Sequence, residues 1–97
     1  MHIITQKRLK LFWKKHTASE EALMVWGRIA RTASWDSFDD VRKSIGTARS
    51  ISGNRIVFKI KGNQYRLIVK MEYAKQRIYI RFIGTHAEYD KIDAGTV

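Results

Sequence analysis

A single change of period constrains this chain more than any other feature. Ahead of Ser52-Gly53-Asn54 the apolar residues recur at helical intervals; beyond it they alternate, the spacing of strands with one buried face. Arg55-Ile-Val-Phe-Lys-Ile-Lys61 puts Ile56, Phe58 and Ile60 on one side and Val57, Lys59 and Lys61 on the other. Gly62-Asn63 supplies a hairpin turn, because glycine tolerates the positive φ such turns require. Tyr65–Tyr73 follows, with Leu67, Val69 and Met71 inward and Arg66, Ile68, Lys70 and Glu72 outward. After a turn at Ala74–Gln76, Arg77–Gly84 directs Ile78, Ile80 and Phe82 inward and Tyr79, Arg81 and Ile83 outward.

The first half reads as helices. His2–Thr5 is a candidate first strand, and Leu9, Phe12, Trp13 and His16 then mark one face of a helix from Gln6 to His16. Thr17-Ala-Ser-Glu20 has the form of a capping box opening a second helix through Ala22, Leu23, Trp26, Ile29, Ala30 and Ala33. The connection is short, so the two should form an antiparallel hairpin. Ser37-Phe-Asp-Asp40 caps a third, short helix ending near Ile45-Gly46. Helices followed by an antiparallel meander give an α+β domain, with the helices on one sheet face. No proline, repeat or linker divides the chain, and residues 1–97 read as one domain.

Charge narrows the function. Nineteen Lys+Arg against nine Asp+Glu leave +10 on 97 residues, which favours a polyanionic partner and nucleic acid above all. Between Asn54 and Arg81 eight residues are basic and one, Glu72, is acidic. Several of these cations point away from the core, so an uncovered outer sheet face would make a phosphate-binding platform. Cysteine is absent, which removes disulfides, thiolate metal sites and cysteine nucleophiles. No apolar run approaches a signal peptide or a membrane span, and the chain reads as cytoplasmic without a membrane partner.

Phosphate loops, HExxH, zinc spacings and nucleophile elbows are missing, and the acidic residues do not form a metal-nuclease pattern. Neither a metal nor another cofactor is expected. RNA, however, carries its own nucleophile in the 2′-OH. Its cleavage needs a base, an acid and cations for the charged phosphorane, and His, Arg and Lys supply these. The segment Gly84-Thr-His-Ala-Glu-Tyr-Asp-Lys91 gathers His86, Tyr89, Asp90 and Lys91 at the sheet rim, within reach of Arg66 if its strand is adjacent. A structural alternative would pair Arg66 with Glu72 or Glu88. Trp13, Trp26 and Trp35 fit helix packing, and His2 and His16 fit structural or exposed positions.

Tyr65-Arg-Leu-Ile-Val-Lys70 and Ile80-Arg-Phe-Ile-Gly-Thr-His-Ala-Glu-Tyr-Asp-Lys91 resemble the HigB-type toxins of bacterial toxin–antitoxin pairs, within the RelE superfamily. The resemblance implies a RelE-like fold with two N-terminal helices on a small, mainly antiparallel sheet. It implies cleavage of messenger RNA in the ribosomal A site and neutralisation by a HigA-type helix-turn-helix antitoxin. Operator DNA would be met only through that complex. Carried onto this sequence, it implies Arg66 as a phosphate or transition-state contact, His86 as a catalytic group where relatives have a basic residue, and Tyr89 as the C-terminal tyrosine. Lys61 and Lys59 fall where such toxins carry strand lysines, Lys61 taken as catalytic and Lys59 as RNA-binding. Lys70, Arg81 and Lys91 complete the expected RNA contacts. A non-catalytic basic RNA-binding module and an inhibitor of an acidic protein remain the alternatives.

Overall fold

The computed structural model describes residues 1–97 and is α+β. The order is β1 (His2–Ile4), α1 (Gln6–Lys15), α2 (Glu20–Thr32), α3 (Phe38–Ser44), β2 (Arg49–Ile51), β3 (Arg55–Ile60), β4 (Tyr65–Glu72), β5 (Arg77–Thr85) and α4 (His86–Tyr89). Five strands form one sheet in the order β1-β5-β4-β3-β2, antiparallel except that β1 lies parallel to β5. No helix is long and apolar enough to cross a membrane.

The alternation in β3 and β4 fixes which sheet face is buried. Ile56, Phe58, Ile60, Leu67, Val69 and Met71 join Leu9 of α1 and Leu23, Trp26 and Ala30 of α2 in one core. Trp26 stacks edge-on against Phe58 at 5.4 Å, and Trp35 closes the core from the segment before α3, its indole N–H donating to Ser44 Oγ at 3.0 Å. α3 begins at Ser37, whose side chain accepts from the Asp40 N–H, as the sequence predicts.

Four expectations are corrected. Thr17 does not open a capping box. Thr17–Ser19 is a 3-10 turn, and Ser19, fully buried, donates its hydroxyl to His16 O at 2.7 Å. The β3–β4 connection is a four-residue loop, since Ile60 pairs with Tyr65; Lys61 and Gly62 take the positive φ values of 53° and 64°. β5 carries a bulge: Ile68 lies opposite Phe82 and Val69 opposite Ile80, leaving Arg81 unpaired. The extra residue reverses the faces beyond it, so Ile83 packs on the core and Phe82 lies outside, opposite Ile68.

The outer face, finally, is not bare. Val57 and Ile68 are buried there outside the main core. α4 packs on β4 and β5, and the chain after it crosses the face, with Gly95 beside Ser52 and Val97 O accepting from Arg55 and Arg81.

Candidate active site

Antiparallel pairing builds the cleft from the outer face upward. Arg49 of β2 lies opposite Val57 of β3, and Lys59 of β3 opposite Arg66 of β4, so four outward positions are adjacent. Arg66 in turn faces Gly84 of β5, where a side chain would strike the Phe82 ring and the Glu88 carboxylate. The chain can therefore close tightly over Arg66 and turn into α4.

α4 exists because Thr85 caps it. The Glu88 N–H donates to Thr85 Oγ1 at 3.1 Å and the Thr85 N–H donates to Glu88 Oε1 at 2.8 Å, a complete capping box. The Thr85 N–H bond holds the Glu88 carboxyl below its ordinary value, against desolvation and with help from the Thr85 side chain and the nearby His16 and Lys15. One turn of helix then projects His86 and Tyr89 over the strand cations. Thr47, Arg49, Val57, Lys59, Arg66, His86 and Tyr89 enclose a cleft of about 360 Å³.

Arg66 is its most informative member. The side chain is only 7% exposed, yet no carboxylate pairs with it. Its guanidinium donates to Asn63 O at 3.1 Å and to Asn63 Oδ1, and lies 5.6 Å from the Tyr89 ring centroid. Neither Glu72 nor Glu88 takes it: Glu72 meets Arg77 at 3.6 Å, and Glu88 is bound to Thr85. A desolvated cation without a counter-ion is costly and favours the arrival of an anion. Tyr89 is gripped at its other end, its hydroxyl accepting from Arg49 Nη2 at 2.8 Å. His86 Nδ1 lies 3.2 Å from Asp90 Oδ2, which orients the imidazole and leaves Nε2 as the nitrogen free for proton exchange.

The cleft thus brings together His86, Arg66, Tyr89 and Lys59. It does not include Lys61, whose left-handed backbone takes it off the strand face to a hollow beside Ala18, Glu21, Ala22 and Val25 of the helical side. Lys70 and Arg81 share the outer face but line a separate hollow at its far end, and Lys91 stands exposed just past α4. Arg49 and Asn63 were not foreseen. β2 is three residues long and carries no alternation to reveal it, while Asn63 read simply as a turn residue.

The family model described as HigB_toxin, RelE-like toxic component of a toxin–antitoxin system, matches residues 19–92. The chain belongs to the HigB toxin family. The matched span of this HigB-type chain runs from the start of α2 through α4 and contains every cleft residue. It is similar to the mRNA interferase toxin HigB of Escherichia coli K12, with 30% identity over 93 residues, 93% of this chain and 88% of the relative. The mRNA interferase HigB of Shigella flexneri matches to the same extent. A further mRNA interferase HigB, from Escherichia coli O6:H1, is 23% identical over 94 residues, 95% of this chain and 91% of its own.

Proposed function

We propose that this HigB-type toxin is an endoribonuclease that cleaves messenger RNA by metal-independent attack of the substrate's own 2′-OH. The observation that carries the reading is Arg66, a buried guanidinium without a counter-ion at the floor of a cleft that also holds an oriented imidazole. The names of the relatives, all mRNA interferases, support it.

In this mechanism a phosphodiester seats on Arg66, with Lys59 and Arg49 on the next two strands to one side. A base takes the 2′-OH proton, the 2′-oxygen bonds to phosphorus, and the negative phosphorane is stabilised by the three cations. The bond from phosphorus to the 5′-oxygen then breaks, and an acid protonates that oxygen. The products are a 2′,3′-cyclic phosphate and a 5′-hydroxyl. His86 serves one proton transfer through Nε2, with Asp90 orienting the ring at Nδ1. Tyr89 orients the substrate and, polarised by Arg49, can pass the second proton. The cleft lining carries Arg49, Lys59 and Arg66, cations suited to the charged phosphorane.

The same reading places the reaction in the cytoplasm, on messages in the ribosomal A site. A HigA-type helix-turn-helix antitoxin would neutralise the toxin, and operator DNA would be met only through their complex. The test is to induce the wild type and His86→Ala in bacteria and map RNA 5′ ends. New 5′-hydroxyl ends inside coding regions, phased to codons and absent with His86→Ala, are expected. Mg²⁺-dependent 5′-phosphate ends would overturn the mechanism, and intact RNA with folded, antitoxin-free wild type would leave only a binding module.

A further inference from the structure

The outer sheet face has a second concavity, separate from the cleft. Asn54, Lys70, Glu72, Tyr73, Tyr79 and Arg81 are the polar members of a hollow of about 510 Å³, larger than the cleft itself. Lys70 and Tyr79 are directly opposite each other on β4 and β5 and share the outward parity of Arg66. From Arg66 to Lys70 is four residues of strand, about 13 Å, a span that a short run of extended RNA crosses.

The chemistry of this hollow fits a nucleotide. Lys70 is exposed and forms no ion pair. Arg81, freed from the ladder by the bulge, donates only its Nε, to Val97 O at 3.2 Å, so both terminal nitrogens remain available. Glu72, the one carboxylate of the lining, is countered by Arg77 at 3.6 Å and accepts from the Tyr79 hydroxyl at 3.3 Å. That hydrogen bond anchors the end of a half-exposed ring beside the two cations. Cations for backbone phosphate alongside an anchored aromatic ring for a base are the two elements of single-strand binding.

We propose that Lys70, Tyr79 and Arg81 form a second RNA subsite, which grips the substrate strand beyond the scissile phosphate: phosphate on Lys70 and Arg81, a base on Tyr79. The proposal rests on the reading of the cleft as the cleavage site. The chain after α4 runs from Asp90 beside the cleft to Val97, which accepts from Arg81 of the second hollow, and the exposed Lys91 lies along this course.

The subsite predicts a dependence on substrate length. Full-length protein is titrated by fluorescence anisotropy with non-cleavable 2′-O-methyl RNA of about four and about twelve nucleotides. Lys70→Ala and Tyr79→Leu are compared with Arg66→Ala, with thermal melts confirming folding. The two subsite variants are expected to weaken the longer strand roughly tenfold more than the shorter. Lys70→Ala should also reduce the salt slope for the longer strand by about 0.7, while Arg66→Ala weakens both lengths. Equal losses at both lengths, or none on the longer strand, would overturn the subsite. Cleavage of unmodified RNA by the wild type is followed in parallel. Its absence would remove the proposed function, and a length-dependent binding loss in that case would still support the subsite.

Discussion

Thr85→Ala tests whether the capping box, and not the sheet beneath it, sets the catalytic geometry. The substitution removes the hydroxyl that accepts from the Glu88 N–H at 3.1 Å and leaves the β-ladder partner Tyr65 in place. Loss of such a cap costs about 1 kcal/mol, equivalent to about a fivefold shift in a local equilibrium. Four residues are far too few to hold a helix by propensity, so the shift falls directly on α4. The amides of Asp90, Lys91 and Ile92, which bond back to His86 O, Glu88 O and Tyr89 O, report that opening. Their hydrogen exchange is expected to quicken about fivefold, with β3 and β4 unaffected. Because Arg66 and Lys59 stand on strands, RNA affinity should change little while kcat falls. Thr85→Ser, which keeps the hydroxyl, should restore both exchange and kcat. Unchanged exchange in α4, or a loss of RNA affinity at constant kcat, would refute the reasoning.

Other perturbations probe different parts of the fold. Glu88 has a depressed carboxyl value, so its contribution to α4 is present above the ordinary value of 4.5 and is lost as pH falls through the depressed one. NMR shifts of Glu88 and Tyr89 should report α4 loosening on acidification, and Glu88→Gln should abolish that dependence in the same window. Arg66→Lys keeps the charge but loses the planar fork and the Asn63 contacts; single-turnover cleavage should slow by about 10²–10³. Arg49→Ala removes the 2.8 Å bond to the Tyr89 hydroxyl at an exposed edge, and roughly a tenfold loss of kcat is expected. Phe58→Ala empties the contact with Trp26 and should cost about 3–5 kcal/mol in a denaturant titration, a large part of a small domain's stability.

What the sequence revealed followed the strength of its periodicity. Phe58, Leu67 and Ile78 recur in alternating runs long enough to define a face, and each is fully buried as expected. Lys59 and Arg66 share the opposite face for the same reason. Short or irregular elements escaped. β2 spans three residues, and α4 is one turn whose capping signal, Thr85-His-Ala-Glu88, has the same form as Thr17-Ala-Ser-Glu20. Only the first of these forms a capping box. At Thr17 the chain is already closing a 3-10 turn, with Ser19 bonded to His16 O, a tertiary outcome that local propensity does not encode. The bulge at Arg81 and the positive φ of Lys61 likewise redirected side chains that simple parity had assigned. His86 and Tyr89 stood out in the segment Gly84–Lys91 at the sheet rim and took their expected roles from the resemblance, whereas no motif pointed to Arg49.

The division of the cleft between strands and α4 has a mechanistic consequence. Arg66, Lys59 and Arg49 stand on paired strands, and Arg66 is further fixed by Asn63, so the anion-binding geometry exists before substrate arrives. Electrostatic stabilisation gains most from such preorganisation. His86 and Tyr89, in contrast, stand on a single helical turn with no buried residue, held by one capping box and by the Arg49 and Asp90 contacts. Loosening α4 therefore acts on the two groups proposed to transfer protons, while the strand cations keep their hold on RNA, and the cost falls on kcat.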